Sequence, residues 1–202
     1  MGTAGDGVIQ RTAAGNAPGP APAGDRAVAA PQVLLLTGTC GSGKSTLAAR
    51  LGARPGWTRI SEDDVWARRI GRDRGAFGTP EHREKRRIVH AVVFDALRAA
   101  VAARLRVALD ATVHESPPES FEEYRAFFHE AGIRWALRVL HPDLEVAVAR
   151  DGARPGPRLG RQRVADLHAK FTTRTFPAAW FLDTSADTPE DTERRLVESG
   201  LA

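Results

Sequence analysis

Val33-Leu-Leu-Leu36-Thr-Gly38-Thr-Cys-Gly-Ser-Gly43-Lys44-Ser45-Thr46 decides how this chain folds. An apolar run of strand length enters a glycine-rich turn, and Thr46-Leu-Ala-Ala-Arg-Leu51 behind it reads as a helix. Gly38 and Gly43 let the backbone turn tightly enough to aim consecutive N–H groups at phosphate oxygens, and the helix adds its positive N-terminal end. The spacing therefore implies a phosphate cradle made of Gly38, Thr39, Cys40, Gly41, Ser42, Gly43, Lys44, Ser45 and Thr46. In it Lys44 bridges the β- and γ-phosphates of a nucleoside triphosphate and Ser45 places its hydroxyl on Mg²⁺. A glycine-rich turn with no ligand is the alternative reading.

Working outward, the first 31 residues are mostly Gly, Ala, Pro and Thr, with a Pro-Gly-Pro-Ala-Pro run at Pro18 to Pro22. They lack the apolar surface to order themselves, so residues 1–31 are expected to be a disordered tail and 32–202 one folded domain. No apolar core follows a basic start, which argues against a signal peptide, and no stretch has the length to span a bilayer. The lone cysteine, Cys40, excludes an intramolecular disulfide and fits a reducing, cytoplasmic setting. The net charge is +4 and arginine supplies almost all of the basic residues, with Lys44, Lys85 and Lys170 as the lysines. That charge is weak support for a nucleic-acid partner.

From Gln32 onward short apolar runs alternate with longer amphipathic segments, the pattern of an α/β fold with a parallel sheet covered by helices. Strands are expected at Gln32 to Thr37, Trp57 to Ser61, Leu105 to Asp110, Arg134 to Leu140 and Ala179 to Asp183. Helices are expected at Lys44 to Leu51, from Val65, at Glu81 to Arg104, from Ser116 to Ala131, at Pro142 to Ala149, Arg163 to Thr173 and Pro189 to Ser199. In the longest, Ile88, Val92, Leu97 and Val101 fall near one face.

Five places resemble the P-loop kinase group, in particular polynucleotide kinases, gluconate kinase and chloramphenicol phosphotransferase. Thr37 to Thr46 is similar to their nucleotide loop, and Ile60-Ser-Glu-Asp63-Asp64 resembles their carboxylate turn after strand two. Ala108-Leu-Asp110-Ala-Thr112 resembles the turn closing strand three. Val148-Ala-Arg150-Asp-Gly-Ala-Arg154 resembles the arginine-bearing lid, and Phe181-Leu-Asp-Thr184-Ser185 the strand and turn that pass the adenine. The resemblance covers Gln32 to Ser199 and implies a three-layer P-loop fold with a five-stranded sheet ordered 2-3-1-4-5. It departs at Trp66, where phage-type polynucleotide kinases carry an arginine that holds an acceptor or scissile phosphate. That substitution points to a less charged acceptor than a nucleic-acid 5′ end.

Phosphoryl transfer needs a triphosphate cradle, cations on the equatorial oxygens and a group that orients or deprotonates the attacking oxygen. Asp63, at the carboxyl end of strand two, faces the crevice in which open α/β sheets bind ligands and is the candidate general base. Asp63 or Asp64 capping the next helix is the competing reading. Asp110 ends the strand beside the loop strand and is a candidate for Mg²⁺ or for the acceptor. Thr112 and His114 follow at alternate positions, and Trp66 is a candidate wall of the acceptor pocket. Arg150 and Arg154, four apart, are candidates for ATP phosphate, with Arg154 also stabilising the transferring group. Arg158, Arg161 and Arg163 extend the supply.

Trp57, Trp135 and Trp180 read as core, and the six histidines form no zinc pattern. The expectation is an enzyme: an ATP-dependent kinase using Mg²⁺ and phosphorylating a hydroxyl of a sugar, metabolite or antibiotic. A 5′-hydroxyl polynucleotide kinase and, further off, a regulatory ATPase are the alternatives. Neither the acceptor nor the oligomeric state is legible.

Overall fold

The structure, a computed structural model, describes residues 30–71, 73–113, 119–155, 158–172 and 176–202. Residues 1–29 of the expected tail, and His114, lie outside them. Pro31 is tied to the domain, because its carbonyl accepts from Arg106 Nε at 3.2 Å.

β1 (Val33–Gly38) is flanked by β3 (Arg106–Asp110) and β4 (Trp135–Leu140). β2 (Trp57–Ser61) pairs with β3, and β5 (Phe181–Leu182) with β4. Every pairing is parallel and the order is β2-β3-β1-β4-β5, as the resemblance implied. Each connection between parallel strands is a helical crossover: α1 (Lys44–Gly52), α2 (Glu62–Arg69) with α3 (Pro80–Ala102), α4 (Glu119–Glu130), and α5 (Leu144–Ala153) with α6 (Arg161–Thr172); α7 (Pro189–Glu198) follows the last strand.

β1 is buried on both faces, which is why it reads as a continuous apolar run rather than an alternating one. Val33 and Leu35 join Val89, Val93 and Leu97 of α3 and Phe121 and Phe128 of α4 in the larger core. Leu34 and Leu36 face Leu47, Ala48 and Leu51 of α1 and Leu196 of α7 in the smaller one. The sheet thus lies between two helical layers, with the carboxyl ends of its parallel strands at one edge.

Several expected boundaries shift for identifiable reasons. α2 begins at Glu62, not Val65, because Ser61 at the end of β2 is itself the cap: its Oγ accepts Asp64 N–H at 3.3 Å. Asp63 and Asp64 are therefore first-turn residues of the helix rather than its caps. α3 buries His82, Arg86, Val89, His90, Val93, Leu97 and Ala100, while Ile88 is 46% exposed. Of the expected face, Leu97 is buried and Val92 and Val101 pack against the core; Ile88 alone turns outward, and the inward positions flanking Val89 are taken by Arg86 and His90. β5 is two residues long, and Trp180 belongs to the 3-10 turn Ala178–Trp180 before it. α5 continues to Ala153, so Gly152 is helical rather than loop.

Candidate functional site

The glycines of the loop are set by contacts as well as by turn geometry. Gly38 has φ +143°, and a Cβ there would stand 2.2 Å from the Leu140 carbonyl oxygen. Gly41 has φ +76°, and its Cβ would stand 2.1 Å from the carbonyl oxygen of Ala147 in α5. Gly41 thus lets α5 pass directly over the loop. Gly43, left-handed at φ 95°, is the N-cap of α1; no side chain caps that helix and its first turn carries no acid. Among the described residues the N-terminal N–H groups of α1 have no side-chain partner, an arrangement that favours an anion.

A cavity of about 390 Å³ opens over this turn. Cys40, Gly41, Ser42, Gly43, Lys44, Ser45 and Thr46 line its floor, Arg150 and Arg154 its lid side, and Thr184, Asp187, Pro189 and Thr192 its far end. Lys44 is 8% exposed, and no hydrogen bond or ion pair holds its ammonium among the described residues. A cation so placed lacks the counter-charge that nearly buried lysines normally have. Thr39 is spent differently from its neighbours, since its hydroxyl donates to the Val164 carbonyl of α6 at 3.3 Å. Burial pushes the Cys40 thiol up from its ordinary value; Lys44 and Arg154 pull it back, and Asp151 and Asp63 push it further. One sulfur therefore lies within the electrostatic reach of the loop lysine, the lid arginine and the α2 carboxylate.

The lid is organised by a residue that the sequence did not single out. Asp151, 1% exposed, accepts the N–H groups of Leu159 and Gly160 at 2.9 and 3.2 Å through Oδ2, and Oδ1 pairs with Arg154 Nε at 3.1 Å. One carboxylate thus joins both ends of the segment between α5 and α6. Arg154 is the extended C-cap of α5, so it does not continue the helical face of Arg150, yet both line the cavity. Arg150 Nη2 donates to the carbonyls of Thr184, Ser185 and Asp187 at 2.9, 3.4 and 3.1 Å, shaping the turn after β5. Arg161 pairs with Glu145 at the surface.

The remaining candidates lie outside the cavity wall: its lining includes none of Asp63, Trp66, Asp110 or Thr112. Asp63 is on the exposed side of α2, at 60%, and accepts from Arg74 Nη1 at 2.8 Å. Asp110 is 3% exposed and meets Arg59 Nη2 at 3.5 Å, while Nη1 of the same arginine donates to Asp64 at 3.1 Å. Thr112 is exposed and follows Ala111 on a segment that Thr37 clips to β1. The Thr37 hydroxyl donates to the Val113 carbonyl at 2.8 Å and accepts the Val113 N–H at 3.0 Å. Trp66 is 4% exposed and donates its indole N–H to Glu62 Oε1 at 3.1 Å.

Glu62, like Asp151, was missed. It faces inward where Asp63 faces outward, and its second oxygen accepts from the Tyr124 hydroxyl at 3.1 Å. His90 lies 3.7 Å from it and pairs on its other side with Glu123, which also binds Arg86 at 2.8 Å. Burial opposes charge on the His90 ring, but Glu123 and Glu62 outweigh it and raise the imidazole from 6.5 to about 9. The only signal was the helical spacing of Arg86 and His90 with Val89, Val93 and Leu97, which a purely apolar stripe ignores.

Fold, loop and cavity define a P-loop kinase-like α/β protein. Residues 33–174 match the family model described as an AAA domain, more than half of the chain, and the chain belongs to that family. None of the curated proteins compared with it matches. Among solved structures it is similar to the tunicamycin resistance protein of Deinococcus radiodurans, at 19% identity and TM-score 0.62, covering 86% of this chain and 97% of that one. A sugar kinase from Janibacter sp. is similar at 18% identity and TM-score 0.59, covering 84% and 95%. A chain of the Pnkp1/Rnl/Hen1 RNA repair complex is similar at 21% identity and TM-score 0.55; the match covers 71% of this chain but spans only 44% of that one. At such identities the likeness is one of fold. Among the described residues no helix is long and apolar enough to cross a membrane.

Proposed function

We propose that the protein is an ATP-dependent phosphotransferase that moves the γ-phosphate to a hydroxyl of a small molecule. The observation that carries this reading is the nearly buried Lys44, without a partner among the described residues, in a cavity that Arg150 and Arg154 also line. A cradle alone describes any nucleotide-binding protein. In this proposal Asp63, solvent-facing on the first turn of α2, adds the acceptor half.

In this reading the loop N–H groups and Lys44 hold the β- and γ-phosphates, and Arg154 donates to the transferring group. Asp63 accepts the proton of the attacking hydroxyl, contributing about 10²- to 10⁴-fold in rate. Asp151 keeps Arg154 in place. Arg150, committed to backbone carbonyls through Nη2, shapes the end of the cavity beyond the phosphates. The donor set suits Mg²⁺ brought in with the nucleotide: Ser45 offers a hydroxyl in the lining, and no cluster of three His, Cys, Asp or Glu exists among the described residues. Asp110, buried against Arg59 and outside the lining, is better suited to fixing the acceptor side than to holding the ion. The ion would be held through Ser45 and would supply counter-charge to the phosphates.

Incubation with Mg²⁺-ATP and a library of hydroxyl compounds tests the reading through acceptor-dependent ADP release. Asp63→Asn is expected to abolish most of that release while nucleotide binding is retained. Full transfer by this variant would sink Asp63 as the base. Phosphorylation of a 5′-hydroxyl oligonucleotide in preference to every small compound would favour the polynucleotide alternative.

A further inference from the structure

We propose that Arg74 is the specificity residue of the acceptor side and that the acceptor is a small hydroxylated acid bearing a carboxylate or phosphate group. The inference rests on Asp63 as the group that receives the acceptor hydroxyl.

Trp66 provides a fixed platform. Its indole N–H is bound to Glu62, its ring stacks on His82 at a centroid distance of 5.6 Å and 20° between planes, and both residues are buried. The Arg74 guanidinium lies over that indole, 5.3 Å from its centroid, and its Nη1 reaches Asp63 Oδ1 at 2.8 Å. The backbone on either side of Arg74 is anchored too. Asp73 Oδ1 accepts the Gly75 N–H at 3.0 Å, and Lys85 Nζ donates to the Asp73 carbonyl at 2.9 Å. Gly75 takes the left-handed φ of +72° that this turn requires. Arg74 is therefore a placed guanidinium rather than a freely swinging surface arginine.

A guanidinium has five N–H donors in one plane. Asp63 takes one of them, and the others meet no acceptor among the described residues. Arg74 remains 44% exposed and Asp63 60%, so a ligand can reach both. A molecule carrying a hydroxyl and an anionic group on one short frame would place the hydroxyl at Asp63 and the anion on the open edge of Arg74, the paired geometry that guanidinium favours. An anion next to Asp63 and Asp64 would otherwise be repelled. Arg74 on the first carboxylate and Arg59 on the second remove that repulsion. The indole at position 66, which by itself suggests a less charged acceptor, thus serves as the seat of an arginine from the following loop.

The test has two arms, both on the full chain. In the first, ADP-saturated protein, with its phosphate cradle filled, is titrated with inorganic phosphate or malonate while the Trp66 indole and Arg74 Nε–H signals are followed by NMR. Saturable shifts are expected at millimolar concentration. Arg74→Ala should weaken binding about tenfold or more and Arg74→Lys by less, with Arg83→Ala as a silent neighbouring control. The relative affinities of phosphate and malonate show which anion the site prefers. Absence of binding, or binding indifferent to Arg74→Ala, overturns the proposal.

In the second arm Mg²⁺-ATP is offered with matched pairs: glycerate and glycerol, gluconate and glucose, ribose 5-phosphate and ribose. Acids should exceed their neutral partners about tenfold or more in kcat/KM, and Arg74→Ala should collapse that preference without changing KM for ATP. Equal use of neutral partners, or preference for a 5′-hydroxyl oligonucleotide over every small acid, overturns the small-acid assignment and leaves phosphotransfer standing. Arg74-dependent anion binding without transfer to any compound sinks the kinase reading and leaves the anion site standing.

Discussion

Glu62 Oε2 accepts the Tyr124 hydroxyl at 3.1 Å in the interior, while the next residue, Asp63, faces solvent on the same first turn of α2. Two adjacent carboxylates therefore do opposite work. One fastens α2 to α4, and through His90 to α3; the other faces solvent and meets Arg74. Ser61 makes the division possible by capping the helix immediately after β2, so that no flexible connection separates the sheet from the residue it displays.

The buried histidine gives the domain a pH-dependent stability with a defined sign. His90 faces Glu62 from α2, Glu123 and Tyr124 from α4, and shares Glu123 with Arg86 of its own helix. Its pKa is about 9 in the folded state against an ordinary 6.5. The stabilisation is full below pH 6.5 and is lost as pH rises through about 9, and a shift of this size corresponds to roughly 3 kcal/mol. Urea unfolding of the protein and of His90→Gln should show the gap between them shrinking from pH 6 to pH 9.5. A gap constant across that range would mean that the charged imidazole contributes nothing to it.

Asp151 should prove central to lid order. Its replacement by alanine strips acceptors from the N–H groups of Leu159 and Gly160 and leaves Arg154 without its carboxylate. Hydrogen bonds to a charged group contribute about 1.5–3 kcal/mol each. Faster amide exchange at residues 159 and 160 is expected, with β1 and β3 amides unaffected. Unchanged exchange at those two amides would show that other contacts hold the segment.

What was legible beforehand follows from how each feature is encoded. β1 and the loop are local signals, since strand, turn and helix start occupy consecutive residues, so Gly38 to Thr46 could be read directly. The sheet order came from resemblance, because nothing in the local pattern says that β3 rather than β2 lies beside β1. Glu62, His90, Arg86 and Asp151 escaped because charged residues read as solvent-facing until a partner far along the chain is known; Tyr124 is 62 residues from Glu62. Arg74 escaped for a related reason: its meaning depends on a loop folding back over Trp66. The far end of the cavity, Asp187, Pro189 and Thr192, depends on the packing of α7 against α1, which no local pattern reports.

Arg104 occupies a left-handed conformation, φ 60°, where α3 ends and turns into β3. The Leu105 N–H bonds back to the Ala100 carbonyl at 3.0 Å and the Arg104 N–H to Val101 at 3.0 Å, the pattern in which glycine is usual at this position. A side chain there costs about 1 kcal/mol. Arg104→Gly should therefore raise the melting temperature by about 2–4 °C in a domain of this size. A lowered melting temperature would mean that the arginine makes contacts worth more than the strain.

Nucleotide binding should separate from folding at two neighbouring residues. Gly41→Ala forces a Cβ against the Ala147 carbonyl at 2.1 Å in a backbone conformation that alanine resists, so α5 or the loop must shift. It is expected to lower stability even without ligand. Lys44→Ala removes an ammonium that none of the described residues binds, so ligand-free stability should change little. With Mg²⁺-ATP at a hundred times its Kd, the native protein should gain about 2.7 kcal/mol, and Lys44→Ala at the same concentration should gain far less. Thermal unfolding with and without nucleotide reads both variants. A Lys44→Ala protein still stabilised to the native extent would remove the lysine from the phosphate site, whereas a ligand-free Gly41→Ala protein as stable as the native one would show that α5 tolerates displacement from the loop.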